Sequence, residues 1–218
     1  MTNRCTRLLA LLAIATLAVS SKALEWKSVA QSVTTAPFQT KQAAVYHFRN
    51  AGSRPVTIND VQTSCDCLEA TPDKKTYAPG ESGEIRALFT VGDRIGLYER
   101  TVTVVTDEPG NPAHLTLQIE VPAVATAAPR SVTWQANEAA GEKSLEVTAA
   151  PGLEIDFHEA VPTNDAFSAR LETVDAGRHY RLHLKPRDTT KPASVAVRLF
   201  GREKSGHDVV VSAYASVE

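Results

Sequence analysis

The chain has 218 residues, 23 basic and 25 acidic, and 43% of them are hydrophobic. That apolar share can fill more than one core, which excludes a disordered or low-complexity chain. The slightly acidic balance, without a basic cluster, excludes a binder of phosphate backbones and hence nucleic acid as a partner.

Arg4 and Arg7 precede an apolar run from Leu8 to Val19, and Ser21-Lys22-Ala23 puts small residues at −3 and −1 of a cleavage point. This is the pattern of a secretory signal peptide over residues 1–23. The run is shorter than the roughly 20 apolar residues a membrane span needs, so no transmembrane anchor is expected in the mature chain. Cys5 lies before the run rather than after it, which argues against lipid attachment. The expectation is an exported protein, periplasmic or extracellular. Taking 23 from 218 leaves 195 residues, room for two domains of about 100. Arg4, Arg7 and Lys22 leave with the signal, so 23 basic residues fall to 20 against 25 acidic, a net charge of −5.

Residues 24–122 alternate as strands do. Leu24 to Ser28, with Trp26, suits a first edge strand. Ala44, Tyr46 and Phe48 alternate with Val45, His47 and Arg49, the period of a half-buried strand. Asn50-Ala51-Gly52 reads as a turn, because Asn and Gly tolerate positive φ. Val56, Ile58 and Val61 supply the next strand, with Asn59-Asp60 marking a bulge, and that strand runs into Ser64-Cys65-Asp66-Cys67. Ala78-Pro79-Gly80-Glu81 fits a type II turn, with Pro at the second position and Gly at the third. Ile85, Ala87, Phe89 and Val91, then Tyr98, Val102 and Val104, then Leu115, Leu117, Ile119 and Val121 each share a face. Glu108-Pro109-Gly110-Asn111 turns the chain between the last two sets.

Residues 123–129 are Ala-rich and lie between Pro122 and Pro129, which suits a linker or a strand running into a hinge. The alternation restarts over 130–218. Val132-Thr133-Trp134 parallels Leu24-Glu25-Trp26. Leu145 and Val147, Ile155 and Phe157, Phe167 with Ala169 and Leu171, and Tyr180 with Leu182 and Leu184 follow. Val195, Val197 and Leu199, then Val209 and Val211, complete the set. The fold class expected is all-β: two tandem Ig-like sandwiches, the second of about seven strands and without cysteine.

Cys65 and Cys67 admit four readings. The first is a structural disulfide, favoured by export into an oxidising compartment. Closing three residues contributes only roughly 1.6 kcal/mol by the chain-entropy relation, and it needs a turn at Asp66. The second is a pair of reduced, buried thiols. The third is metal binding, since two thiolates at i and i+2 suit Cu(I) and, less easily, Zn(II), with His47 or His114 as further ligands. The fourth is thiol–disulfide chemistry, against which Asp66 counts because a neighbouring negative charge raises a thiol pKa.

Other candidates are weaker. Ser82 lies in Gly80-Glu81-Ser82-Gly83, which is not a Gly-x-Ser-x-Gly elbow. His179 and His183 point the same way on a strand but stand roughly 13 Å apart, beyond shared ligation. They and His158 read as solvated side chains with acidic neighbours by chance. No complete catalytic constellation is visible, so no catalytic or cofactor-binding residue is assigned.

The series His47-Phe48-Arg49-Asn50-Ala51-Gly52, Ser64-Cys65-Asp66-Cys67 and Pro79-Gly80-Glu81 resembles a bacterial Ig-like family of unknown function over about residues 40–121. Its members share an F-x-N-x-G, S-C-G-C-T, P-G-E series and are similar to the ASH/hydin, major sperm protein and PapD-like sandwiches. Asp66 stands where the family has Gly, and Leu68 where it has Thr. The resemblance implies an exported, non-enzymatic module whose motif residues are Asn50, Gly52, Ser64, Cys65, Asp66, Cys67, Pro79, Gly80 and Glu81. The function expected is binding of a cell-envelope protein through sheet edges and the loop at Cys65–Leu68. Two rivals are a copper- or zinc-handling protein using Cys65 and Cys67, and a periplasmic pilus-type chaperone with Arg49 and Arg130 in the interdomain cleft.

Overall fold

The computed structural model describes residues 23–108, 110 and 112–218; no helix occurs among them. The expected signal peptide, Ala23 apart, lies outside the described residues, as do Pro109 and Asn111 of the expected turn. The first half contains β1 (Leu24–Trp26), β2 (Ala30–Thr34), β3 (Lys41–Asn50), β4 (Val56–Thr63), β5 (Leu68–Pro72), β6 (Thr76–Tyr77), β7 (Ser82–Thr90), β8 (Gly96–Thr106) and β9 (Ala113–Val121). The second half contains β10 (Ala125–Ala128), β11 (Ser131–Trp134), β12 (Lys143–Ala149), β13 (Ile155–Pro162), β14 (Phe167–Asp175), β15 (His179–Pro186), β16 (Ala193–Glu203) and β17 (Asp208–Val217).

Each half is a sandwich of two sheets. In the first, β1-β3-β7-β5 faces β2-β9-β8-β4-β6. In the second, β10-β12-β15-β14 faces β11-β17-β16-β13. The two orders are the same topology twice, with β6 the one addition. A short strand opens each half antiparallel to its neighbour, β1 on β3 and β10 on β12. The chain then crosses to the other sheet and runs parallel to its last strand, β2 on β9 and β11 on β17. Even the bulge repeats, between Ile58 and Asp60 in β4 and between Phe157 and Glu159 in β13.

Alternation does what it implies. Leu115, Leu117 and Ile119 of β9 are fully buried while His114, Gln118 and Glu120 face outward. The inward rows meet in one cluster per half, the first running from Leu24 to Val121 and the second from Ala125 to Val217. Removing each large apolar side chain from water contributes about 1.5–3 kcal/mol, offset mostly by the entropy of ordering it.

One expectation narrows and another changes. Of the linker and the strand expected within 123–129, a strand is present, since β10 pairs residue for residue with β12 and Ala125 is buried in the second core. Small alanines let that edge strand lie close on the core without a period of their own. Val132-Thr133-Trp134 is also not the counterpart of Leu24-Glu25-Trp26. It lies in β11, which corresponds to β2, whereas β1 corresponds to β10.

Candidate functional site

The motif residues fall into two groups at opposite ends of β4, an eight-residue strand spanning roughly 25 Å. Asn50 centres the first group. It is fully buried, and its amide donates to the Arg54 carbonyl at 2.8 Å and the Tyr77 carbonyl at 2.9 Å. Its Oδ1 accepts from Gly52 N–H at 2.9 Å, its N–H donates to Glu81 O, and its carbonyl accepts from Gly80 N–H. Every polar atom of Asn50 is therefore engaged.

The turn at Pro79 forms as expected: Gly80 has φ +80°, and Glu81 N–H donates to Ala78 O at 3.0 Å. Lys74 bonds the Glu81 carboxylate, which with the Ala78 N–H holds that carboxyl below its usual range. Gly52, by contrast, does not need positive φ. Close approach explains it, since a Cβ there would meet the Ala23 Cβ at 2.6 Å. Burial pushes the Tyr77 hydroxyl up, as does its bond to Asp73. This group is a clip joining three loops.

The second group is the loop between β4 and β5. Cys65 and Cys67 are joined as a disulfide with Cα atoms 5.2 Å apart. Asp66 supplies the turn at negative φ, so the left-handed conformation open to the family's Gly is not used. Both cysteines are half-buried against the first core, and Asp66 is exposed. Backbone bonds hold the loop on every side. Ser64 N–H donates to Thr101 O and Ser64 Oγ accepts from Thr101 N–H, both at 3.0 Å. Leu68 N–H donates to Cys65 O at 3.2 Å, and Thr90 N–H donates to Cys67 O at 2.8 Å.

Arg100 is the residue that sequence reasoning missed. It follows Tyr98 on the inward row of β8, just beyond buried Val102 and Val104. Its guanidinium turns to Cys67, with Nε donating to Sγ at 3.4 Å. Its NH1 donates to Glu99 O at 2.7 Å, and its Cζ lies 5.3 Å from the Tyr98 ring centre. Only the alternation counted back from Val104 through Val102 could have placed it at the cysteines.

In the disulfide neither sulfur is a thiolate, so the oxidised pair lacks the soft donors that Cu(I) or Zn(II) requires. The expected histidines are engaged elsewhere, His47 3.6 Å from Glu84 Oε2 and His114 3.2 Å from Thr103 Oγ1. Among the described residues no group of three or more His, Cys, Asp or Glu is placed to hold a metal ion.

The open edge lies beside the loop. The register of β4 on β8 ends at Thr63 opposite Val102, and the Ser64–Thr101 exchange extends it by one residue. Among the described residues no strand pairs with Gly96–Arg100 on that side, although β9 pairs with all five on the other. Leu97 there is 73% exposed.

Between the two sandwiches is a cleft of about 540 Å³, bordered by Phe38, Arg94, Ile95, Val124, His207 and Val210. Phe38 stacks on His207 across it, ring centres 4.4 Å apart. The expected basic pair is not assembled: Arg49 bonds the Gly80 carbonyl and Arg130 lies over the Tyr214 ring, and neither lines the cleft. The cleft's own Arg94 is spent on the carbonyls of Thr90 and Val91.

His179 and His183 are not solvated beside carboxylates by chance. His179 Nε2 is 2.7 Å from Glu146, whose other oxygen accepts from Arg181 Nε at 2.9 Å. His183 lies between Glu142 at 2.8 Å and Glu172 at 2.6 Å. These groups form a ladder across β12, β15 and β14, with Glu142 just before β12.

Fold and site together define a two-sandwich, Ig-like, all-β protein with one disulfide-bearing loop. Residues 24–121 match the model of a family described as a protein of unknown function, DUF1573. No curated protein matches the chain. Among solved structures it is similar to the Pseudomonas aeruginosa CupB2 chaperone, at 10% identity and TM-score 0.35 over 87% of this chain and 99% of that one. The E. coli chaperone DraB is similar at 13% identity and TM-score 0.35, over 87% and 95%. The Vibrio cholerae VesB protease gives 15% identity and TM-score 0.38 over 46% of this chain, which spans only 32% of the protease. At such identities the likeness concerns chain path alone. No helix among the described residues is long and apolar enough to cross a membrane.

Proposed function

We propose that the protein is an exported, non-catalytic binding module of the cell envelope that adds an extended segment of a partner polypeptide to β8 at Gly96–Arg100. The observation that carries this is that, among the described residues, no strand pairs with that segment on its β4 side. Strand alternation turns the N–H groups of Leu97 and Glu99 to the same side as those of Thr101, whose N–H meets Ser64. An incoming strand gains affinity from these backbone groups and specificity from its contact with Leu97. Export is supported by the leader-like pattern of residues 1–23.

The test places a photo-crosslinking residue at position 97 and exposes the protein to envelope proteins, with and without Glu99→Pro. Proline removes one N–H from the open side, where an edge strand tolerates it. Adducts that fall at least tenfold with proline, and amide exchange over 96–100 that slows in the complex, are expected. Equal adducts from both forms, or none from either, would end the reading.

A further inference from the structure

We propose that Cys65–Cys67 is a thiol–disulfide exchange site in which Arg100 stabilises Cys67 as the leaving thiolate. The proposal rests on other observations than strand addition at β8, although Arg100 and Glu99 belong to both segments. Three observations carry it.

The first is that the loop does not depend on its disulfide, and the second half of the molecule demonstrates this. Thr163 there makes the bonds that Ser64 makes: its N–H donates to Ala196 O at 2.9 Å, and its Oγ1 accepts from Ala196 N–H at 3.2 Å. Arg187 N–H donates to Ala166 O as Thr90 N–H donates to Cys67 O. Asn164 and Ala166 occupy the cysteine positions, bridged only by Ala166 N–H donating to Asn164 Oδ1 at 3.0 Å. The same loop therefore closes without sulfur, so reduction of Cys65–Cys67 leaves its backbone bonds in place.

The second is the placement of Arg100. A sulfur in a disulfide is a weak acceptor, whereas a thiolate is a charged one, so the Arg100 Nε contact strengthens when the bond breaks. Asp66 opposes this from the solvent side, where water screens it; Arg100 is fixed against the sulfur by Glu99 O and the Tyr98 ring. The residue corresponding to Arg100 in the second half is Val195, which is buried. The basic side chain thus occurs where the cysteines occur and is absent where they are absent.

The third is access. Both cysteines are partly exposed in a loop at a sandwich end, which puts them where an external thiolate, whose attack runs along the S–S axis, meets the surface. That thiolate attacks Cys65 Sγ and forms a mixed disulfide, while the electron pair of the broken bond leaves on Cys67 Sγ beside Arg100. A second external thiolate then attacks the mixed disulfide. It releases Cys65 as thiolate, which takes a proton, and the external thiols depart as their own disulfide. Two electrons pass to the protein pair, and the reverse sequence returns them.

The full chain is equilibrated with mixtures of reduced and oxidised glutathione, quenched by alkylation and read by mass spectrometry, with far-UV circular dichroism alongside. Reversible reduction without loss of the β spectrum is expected. Arg100→Gln shifts the exchange constant at least fivefold toward the disulfide, about 20 mV more negative at about 30 mV per tenfold, and Arg100→Lys recovers part of it. In the wild type, early quenching finds glutathione on Cys65 and the alkyl group on Cys67. Reduction only in denaturant, an unchanged constant in Arg100→Gln, or the reversed labelling overturns the proposal.

Discussion

Ser64 and Thr163, 99 positions apart in the chain, make the same pair of hydrogen bonds to the backbone of the strand beside them, Ser64 with Thr101 and Thr163 with Ala196. Each starts the loop that carries its chain from one sheet to the other. A hydroxyl is used because one residue there must both donate through N–H and accept through its side chain. The correspondence makes the second loop an internal reference for the first.

One consequence concerns the cysteines. The double substitution Cys65→Ser, Cys67→Ser is expected to fold, with its urea midpoint lowered by the equivalent of about 1.6 kcal/mol, the entropy term for a three-residue ring. Failure to fold, read by circular dichroism, would show that the loop's hydrogen bonds are insufficient without sulfur.

Asn50→Ala is expected to be far more damaging. It leaves the carbonyls of Arg54 and Tyr77 and the N–H of Gly52 without their side-chain partner in a fully buried site. A loss of about 3 kcal/mol follows from the cost of unsatisfied buried groups. A chemical denaturation curve measures it, and a shift below about 1 kcal/mol would mean that water replaces the amide.

Acid should weaken the second sandwich through its outer ladder. The bond from His183 holds the Glu172 carboxyl below its usual range against a smaller upward push from burial, and the Arg181 bond does the same for Glu146, with His179 assisting. A carboxyl whose folded pKa is depressed contributes stability above its unfolded value, near 4.3, and loses it as pH falls through the folded value. Thermal midpoints should therefore drop below about pH 4.3, and Glu172→Gln should show a lower midpoint at pH 7 with a shallower acid drop. Parallel pH profiles for the two proteins would contradict this.

Leu97→Asp separates binding from folding. With 73% of the side chain already exposed, its stability should change by no more than about 0.5 kcal/mol. Capture of a partner strand at β8 should nonetheless fall at least tenfold, as read by the crosslink at a neighbouring position such as Glu99. A stability loss of several kcal/mol would place Leu97 in the core instead.

Much of this architecture is determined by the sequence by itself. Alternating rows such as Leu115, Leu117 and Ile119 can bury only one face, so an all-β sandwich follows from period two alone. Pro79-Gly80 specifies its turn because proline presets the second position and glycine enters φ +80° without strain. Tertiary structure decided what no local pattern carries. The strand β2, with its sequence Ala-Gln-Ser-Val-Thr, shows no apolar period and exists because β9 offers a parallel row of backbone groups. The same holds for β10, and for the separation of Asn50 from the cysteines by the length of β4. Arg100 meets Cys67 across 33 residues of chain, because β8 continues past the point where β4 ends and the cysteine loop begins. Side-chain periodicity is local and can be read along the chain; the place where one strand ends beside another is set by pairing between distant segments.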